Sequence, residues 1–257
     1  EAGDVERGAG IMNSVGLIVR RELSSYLKTP GGYIIASFFL LISGVLFNVR
    51  AVGSSARYPL VGLQKYFFDA GGVGVVAGVL LSLRMRAGAR AMGTHVLLFT
   101  SPVREGDIVL GKYLASVIFL LVMIALSLYL PALIFVNGKV SLGHIAAGYL
   151  GMFLLGCSTL AIGMFASSML SFNHFAAVLL SLMLTALIVS LLELGWWIGQ
   201  VSEPPMNALI SYMAPYMKHF HPFRRGLLQL SDLVYHGSVI CFCLMGSTKI
   251  LQSQRWR

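Results

Sequence analysis

Few side chains in this sequence have types and spacings that suggest chemistry. Gly156-Cys157-Ser158-Thr159 puts a hydroxyl nucleophile in one apolar stretch, and His236 lies in a later one. A serine and a histidine brought together inside a membrane bundle are the parts of an intramembrane hydrolase. Against that chemistry, the usual nucleophile context has glycine directly after the serine, where this chain has Thr159. A buried serine also commonly hydrogen-bonds to its own helix backbone. His219-x-His221 suggests a metal, but residues two apart on a helix diverge and no Cys or carboxylate adjoins them. They read as interfacial histidines beside Phe220 and Phe223. Gly71, Gly72, Gly74 and Gly78 sit within an apolar helix, so Gly74-x-x-x-Gly78 is a close helix-packing face and not a phosphate loop. Walker A, metal-cluster and Rossmann patterns are all missing from the sequence. Asp69 and Glu193 stand at the ends of apolar stretches, as functional carboxylates at membrane depth or as solvated ones.

These residues are set in an unusually apolar frame. The chain has 257 residues, 57% of them hydrophobic and 11% charged. A soluble domain carries roughly twice that charge, so the composition predicts one integral membrane domain without a large soluble part. The net charge of +9 sits in short loops between apolar segments, where it orients a membrane protein and meets anionic lipid instead of nucleic acid. Cys157, Cys241 and Cys243 fall inside expected spans and are odd in number, which makes them apolar fillers with no disulfide or metal implied.

The predicted fold is all-α, with six membrane-crossing helices. After a polar tail over residues 1–10, an amphipathic helix is expected over 11–29. Ile11, Val15, Ile18 and Tyr26 line one face of it, and Arg20, Ser24 and Lys28 the other. It should lie in the head-group region until Pro30-Gly31-Gly32 breaks it. Spans follow at about 33–49, 67–83, 113–136, 145–168, 175–198 and 233–251, each close to the roughly 20 residues that cross a hydrocarbon layer. Lys and Arg fall twelve times on the side of the two termini and seven times on the other, which places both termini in the cytoplasm. Residues 199–232 are expected to form short helices half-sunk at the outer face or dipping back against protein. Arg84 and Arg86 snorkel to the cytoplasmic interface. Ser82, Ser181, Thr185 and Ser190 line a pathway or satisfy themselves within their helices.

The loop between the second and third spans stands apart. Gly93-Thr94-His95-Val96-Leu97-Leu98-Phe99-Thr100-Ser101-Pro102-Val103 is a short apolar helix with polar punctuation, followed by Gly111-Lys112. A membrane protein without its own ATP site needs such a docking element if a separate engine drives it.

Four stretches, in order and covering nearly the whole chain, resemble the membrane subunit of type-2 ABC transporters, in the branch of the gliding-motility and nitrous-oxide-reductase maturation permeases. They are Arg20-Arg21-Glu22-Leu23 with Ser25-Tyr26 and Thr29-Pro30; the Gly93–Val103 loop; Ala161-Ile162-Gly163-Met164-Phe165-Ala166-Ser167-Ser168; and His219-Phe220 through Arg225-Gly226 and Asp232-Leu233-Val234-Tyr235. The resemblance implies an inner-membrane exporter subunit without catalytic residues or bound metal. Its elbow helix would carry Arg20, Arg21, Glu22 and Tyr26, and its coupling helix would use Gly93, Thr94, Leu97, Leu98, Phe99, Thr100, Ser101 and Pro102. Implied partners are two ATPase subunits that hold Mg-ATP, a second permease copy or homologue, and an auxiliary extracytoplasmic subunit. Gly74, Gly78 and Glu193 are the expected pathway or dimer-seam residues, with spans two and five near the seam. Where relatives carry acids, this chain has Gly88-Ala89 and Val96, with Arg90 remaining. The competing reading is a membrane scaffold that anchors an ATPase or maturation complex without transport.

Overall fold

The computed structural model describes residues 2–52, 59–91, 105–133, 141–169, 182–190 and 218–255. In chain order the helices are α1 (Ala2–Lys28), α2 (Pro30–Phe47), α3 (Pro59–Ala91), α4 (Glu105–Ser127), α5 (Tyr129–Ala132), α6 (Leu142–Ser168), α7 (His221–Arg224) and α8 (Leu230–Arg255). Residues 182–190 are also helical, and a π-helical turn, Asn48–Val52, closes α2. Among the described residues there is no strand. Among the described residues, five helices are long and apolar enough to cross a membrane: Pro30–Arg50, Val61–Leu83, Gly106–Ala132, Leu142–Ser168 and Leu230–Ser253. The chain is a membrane-embedded, multi-pass helical protein. The sixth expected span, 175–198, is described only over 182–190.

Several boundaries differ from the sequence reading. The tail over 1–10 is helical from Ala2 onward. It carries no apolar stripe to announce a helix, but no proline interrupts it, and Asp4 and Glu6 suit a helix amino terminus. α3 begins at Pro59, eight residues before the expected span, because proline loses nothing at the first helical position. α4 begins at Glu105, with acidic residues in its first turn.

Prolines shape two joints. Pro131 cannot donate to the Ser127 carbonyl four residues back, and the helix breaks into α4 and α5 there. The Tyr149 hydroxyl of α6 donates to that freed carbonyl at 3.0 Å. At the α1–α2 joint, Thr29 is extended (ψ 145°) and its hydroxyl donates to the Ser25 carbonyl at 2.8 Å. Gly32 then lies so close to the Tyr26 carbonyl that any side chain would collide with it.

α6 is the central helix. Some 78% of its membrane window is buried, against 22% for α2 and 17% for α8, so those two helices present broad apolar faces outward. Neighbours enter α6 at several of its glycines: the Phe67 ring of α3 against Gly148, Phe223 of α7 against Gly151, Leu120 of α4 against Gly156. Ser82 of α3 and Thr185 of the 182–190 helix meet at Gly163. The packing face expected at Gly74 and Gly78 is present, and its partner is α6 of the same chain. A Cβ on Gly74 would stand 3.4 Å from Met152, and one on Gly78 3.1 Å from Thr159.

Candidate functional site

α1 packs along the first half of α4. A Cβ on Gly111 would stand 2.9 Å from the Cβ of Ile18. Further on, the Tyr26 hydroxyl meets Ser116 Oγ at 2.7 Å while its ring stacks on Phe119 at 5.1 Å. Arg20, Arg21 and Lys28 face outward, as the amphipathic pattern predicts. Glu22 does not follow its charge. It lies buried on the Tyr26 side of the helix, with Arg21 Nη2 3.7 Å from its Oε1. Tyr26→Phe removes one buried hydrogen bond and keeps the stacked ring. The expected cost is about 1 kcal/mol, read as a lowered thermal midpoint of purified protein against a larger effect from Ser116→Ala, which removes this bond and the one from Ser116 to the Lys112 carbonyl.

At the opposite end of the bundle, Asp69 of α3 is not a solvated carboxylate. Arg50, in the turn that closes α2, places Nε 2.7 Å from Asp69 Oδ2 and ties the two helices together. Nearby, Arg224 of α7 lies over the Phe68 ring at 5.1 Å and donates through Nη2 to His221 Nε2 at 2.7 Å. Partial burial, followed by the positive charges of Arg224 and Arg225, lowers the His221 pKa from the ordinary histidine value. A lowered folded-state pKa stabilises the fold above the ordinary value, about 6.5, and that contribution is lost as pH falls through the folded pKa. Acidification from pH 8 to pH 5 should therefore lower the melting point of wild type more than that of His221→Gln.

The least expected arrangement lies within the bundle. Ser158, a little past the midpoint of α6, donates to the Leu155 carbonyl at 2.8 Å, the local bond expected of a buried helical serine. It also stands 3.2 Å from His236 Nδ1, so the serine and histidine considered from sequence are brought together. His219 was expected at the interface with His221. Instead it is 1% exposed, with Nδ1 2.8 Å from Asp232 Oδ1. Its ring stacks on Tyr235 at 3.8 Å and meets the His236 ring edge-on at 6.5 Å. Only His221 of the pair stays near the surface, as residues two apart must diverge. The available signal was Asp232-x-x-x-His236, a spacing of four that puts both on one helix face.

The arrangement is poorly set up for acyl transfer. The Ser158 hydrogen is engaged by Leu155, and the aspartate orients His219, not the histidine beside the serine. Ser158 is also deep within a helix, where neighbouring N–H groups are used by the backbone ladder and cannot stabilise an oxyanion. Among the described residues no group of three or more metal-ligating side chains is assembled. Cys157 and Cys243 are buried and Cys241 is exposed, all three free.

Gly93, Thr94, Leu97, Leu98, Phe99, Thr100, Ser101, Pro102 and Glu193 lie outside the described residues, as do Ser181 and the outer segment before Lys218. The part of 199–232 that is described dips back against protein, with Phe220 and Phe223 buried. Ser82 and Ser190 donate to carbonyls of their own helices, at Val79 (2.7 Å) and Leu187 (2.9 Å). No protein-family model matches this chain, and no curated protein sequence matches it.

Proposed function

We infer that this chain is the membrane-spanning permease subunit of an ATP-driven type-2 ABC transporter, an inner-membrane exporter working as a dimer. Two separate ATPase subunits carrying Mg-ATP drive it through the 93–103 loop, and both termini lie in the cytoplasm. The observation that carries this reading is the seating of α1 on the first half of α4, the helix that directly continues that loop. The amphipathic helix and the lever therefore belong to one end of the bundle, where a cytoplasmic engine would act. The outward face of α1 supports an interfacial position, because Leu17 and Leu27 are exposed among Arg20, Arg21 and Lys28. The glycine face of α3 is already filled by α6. A seam with a second permease therefore falls to span five and to the outward faces of α2 and α8. ATP binding on the partners supplies the differential affinity that shifts the pair between two forms.

The scaffold reading draws support from Ser82 and Ser190, whose hydroxyls bond to carbonyls of their own helices. Purification of the chain from its native membrane, with any ATPase that accompanies it, separates the readings. A transporter is expected as two permeases with two ATPases, and ATP should change cross-linking across span five. A complex whose cross-links ignore ATP favours the scaffold, and a lone permease without ATPase defeats both. Cysteine labelling of intact cells should modify a probe at Gln200 and spare one at Arg90. The reverse pattern overturns the topology.

A further inference from the structure

Asp232, His219, His236 and Ser158 come from three separate segments and are all buried within the bundle. Their hydrogen bonds assign the protons. Ser158 has one hydrogen, which goes to the Leu155 carbonyl, so its oxygen accepts at the His236 contact and His236 Nδ1 carries the hydrogen. Neutral His236 then has a bare lone pair on Nε2, and that atom is buried with no partner. Asp232 accepts from His219 on Oδ1 and leaves Oδ2 buried with no partner. Two unmet acceptors and one carboxylate charge thus sit together inside a membrane-embedded bundle, where buried polar atoms are ordinarily paired. Asp232 stands in the first turn of the Leu230–Ser253 span and His236 one turn further in, and buried ionisable residues on membrane helices characteristically mark ion and proton pathways.

We propose that Asp232, His219 and His236 form an intramembrane proton-binding site that takes up one proton, with Asp232 Oδ2 and His236 Nε2 as its two seats. The proton comes from a hydronium ion. One O–H or N–H bond forms in the cluster, one O–H bond of hydronium breaks, and water is left; nothing is oxidised or reduced. Uptake cancels the carboxylate charge and leaves the group with no net charge, which burial favours. His219, bonded to the aspartate and edge-on to the second ring, links the two seats. Ser158 is a positioning residue that sets the His236 tautomer.

His219 and His236 are faced by each other and by Tyr235, and α6 contributes Ser158. The neighbouring Thr159 of α6 donates to the Leu155 carbonyl. α4 contributes Tyr113, which donates to the Cys157 carbonyl and stands near Cys157 and Cys243, two turns along α8 from His236. Among the described residues, His219, here a neutral donor, is the hydrogen-bond partner of Asp232. This inference requires membrane placement but no ATPase partner, so it can fail or hold independently of the transporter reading.

The test is nuclear magnetic resonance of the full chain in lipid nanodiscs, with nitrogen-labelled histidine and carbon-labelled aspartate, titrated from pH 8 to pH 5. The His219, His236 and Asp232 signals are assigned by single substitution. One common step of one proton is expected. In Asp232→Asn that step should move by at least one pH unit or disappear. Unchanged signals across the range in wild type, or the same midpoint in Asp232→Asn, would overturn the site and leave a structural cluster. Ser158→Ala keeps every ionisable group, so it gives an independent reading even if the aspartate variant does not fold. It should convert neutral His236 from the Nδ1–H form to the Nε2–H form, and retention of the wild-type tautomer refutes the proton assignment.

Discussion

Gly78→Leu should prevent recovery of a folded, monodisperse protein. α3 packs along α6, and Gly78 is where α3 meets both a side chain and the backbone of α6. A Cβ there would already lie 3.1 Å from the Thr159 Cβ and 3.2 Å from the Gly156 carbonyl oxygen. The first contact is with a side chain pinned by its own bond to the Leu155 carbonyl, and the second is with backbone. Neither can yield unless α6 shifts as a body. α6 cannot shift alone, because Phe67, Phe223 and Leu120 occupy its other glycine sites. Overpacking a core typically costs about 1–3 kcal/mol, and an isobutyl group against backbone belongs at the upper end. Gly78→Ala adds only the Cβ and should cost about 1 kcal/mol. Gly237, in α8, has open space around its Cβ position, so Gly237→Ala should be neutral or slightly stabilising through helix propensity. Thermal unfolding in detergent with size-exclusion chromatography measures the series. A Gly78→Leu protein that melts like wild type would show that this contact does not hold the bundle.

How much could be read in advance followed from the range of each interaction. Apolar runs and glycine spacing are local signals, so five of the six expected spans and the Gly74–Gly78 face were legible. Pairings between helices were not. Asp69 looks solvated until Arg50, nineteen residues earlier, is placed beside it by the α2–α3 turn. His219 looks interfacial because its neighbours are aromatic and basic. Its burial depends on Asp232, thirteen residues on, reached through a turn at Gly226. That turn requires φ +80° and also leaves no space for a Cβ, which would stand 2.6 Å from His144 Nδ1. Ser158 was legible as a self-bonded serine, and its contact with His236 was not, since seventy-eight residues separate them. Glu22 was read as part of a polar elbow, but it falls four residues from both Ile18 and Tyr26 and so shares their buried face.

If the 93–103 loop docks an ATPase as proposed, Leu98→Asp is expected to release that partner while the chain still inserts and runs as a membrane protein of normal size. Leu97-Leu98-Phe99 is too short to cross a bilayer and too apolar to remain in water. It lies between α3 and α4, and α4 is the helix against which α1 is fixed by Ile18 and Tyr26. A partner seated on the apolar stretch could therefore move α3, α4 and α1 together, which is what a lever for the bundle requires. Burying an unpaired carboxylate costs several kcal/mol, and each 1.4 kcal/mol is about tenfold in affinity. Loss of co-purification by at least a hundredfold is the expected result. Leu98→Met preserves the apolar contact and should retain the partner within about threefold, since volume-conserving swaps cost less than about 1.5 kcal/mol. The measurement is the ratio of ATPase to permease after affinity purification, with membrane insertion checked separately. An unchanged ratio in Leu98→Asp would place the docking contact elsewhere and take the lever out of the mechanism. Release by both Leu98→Asp and Leu98→Met would mean that the stretch serves the permease fold instead of its partner.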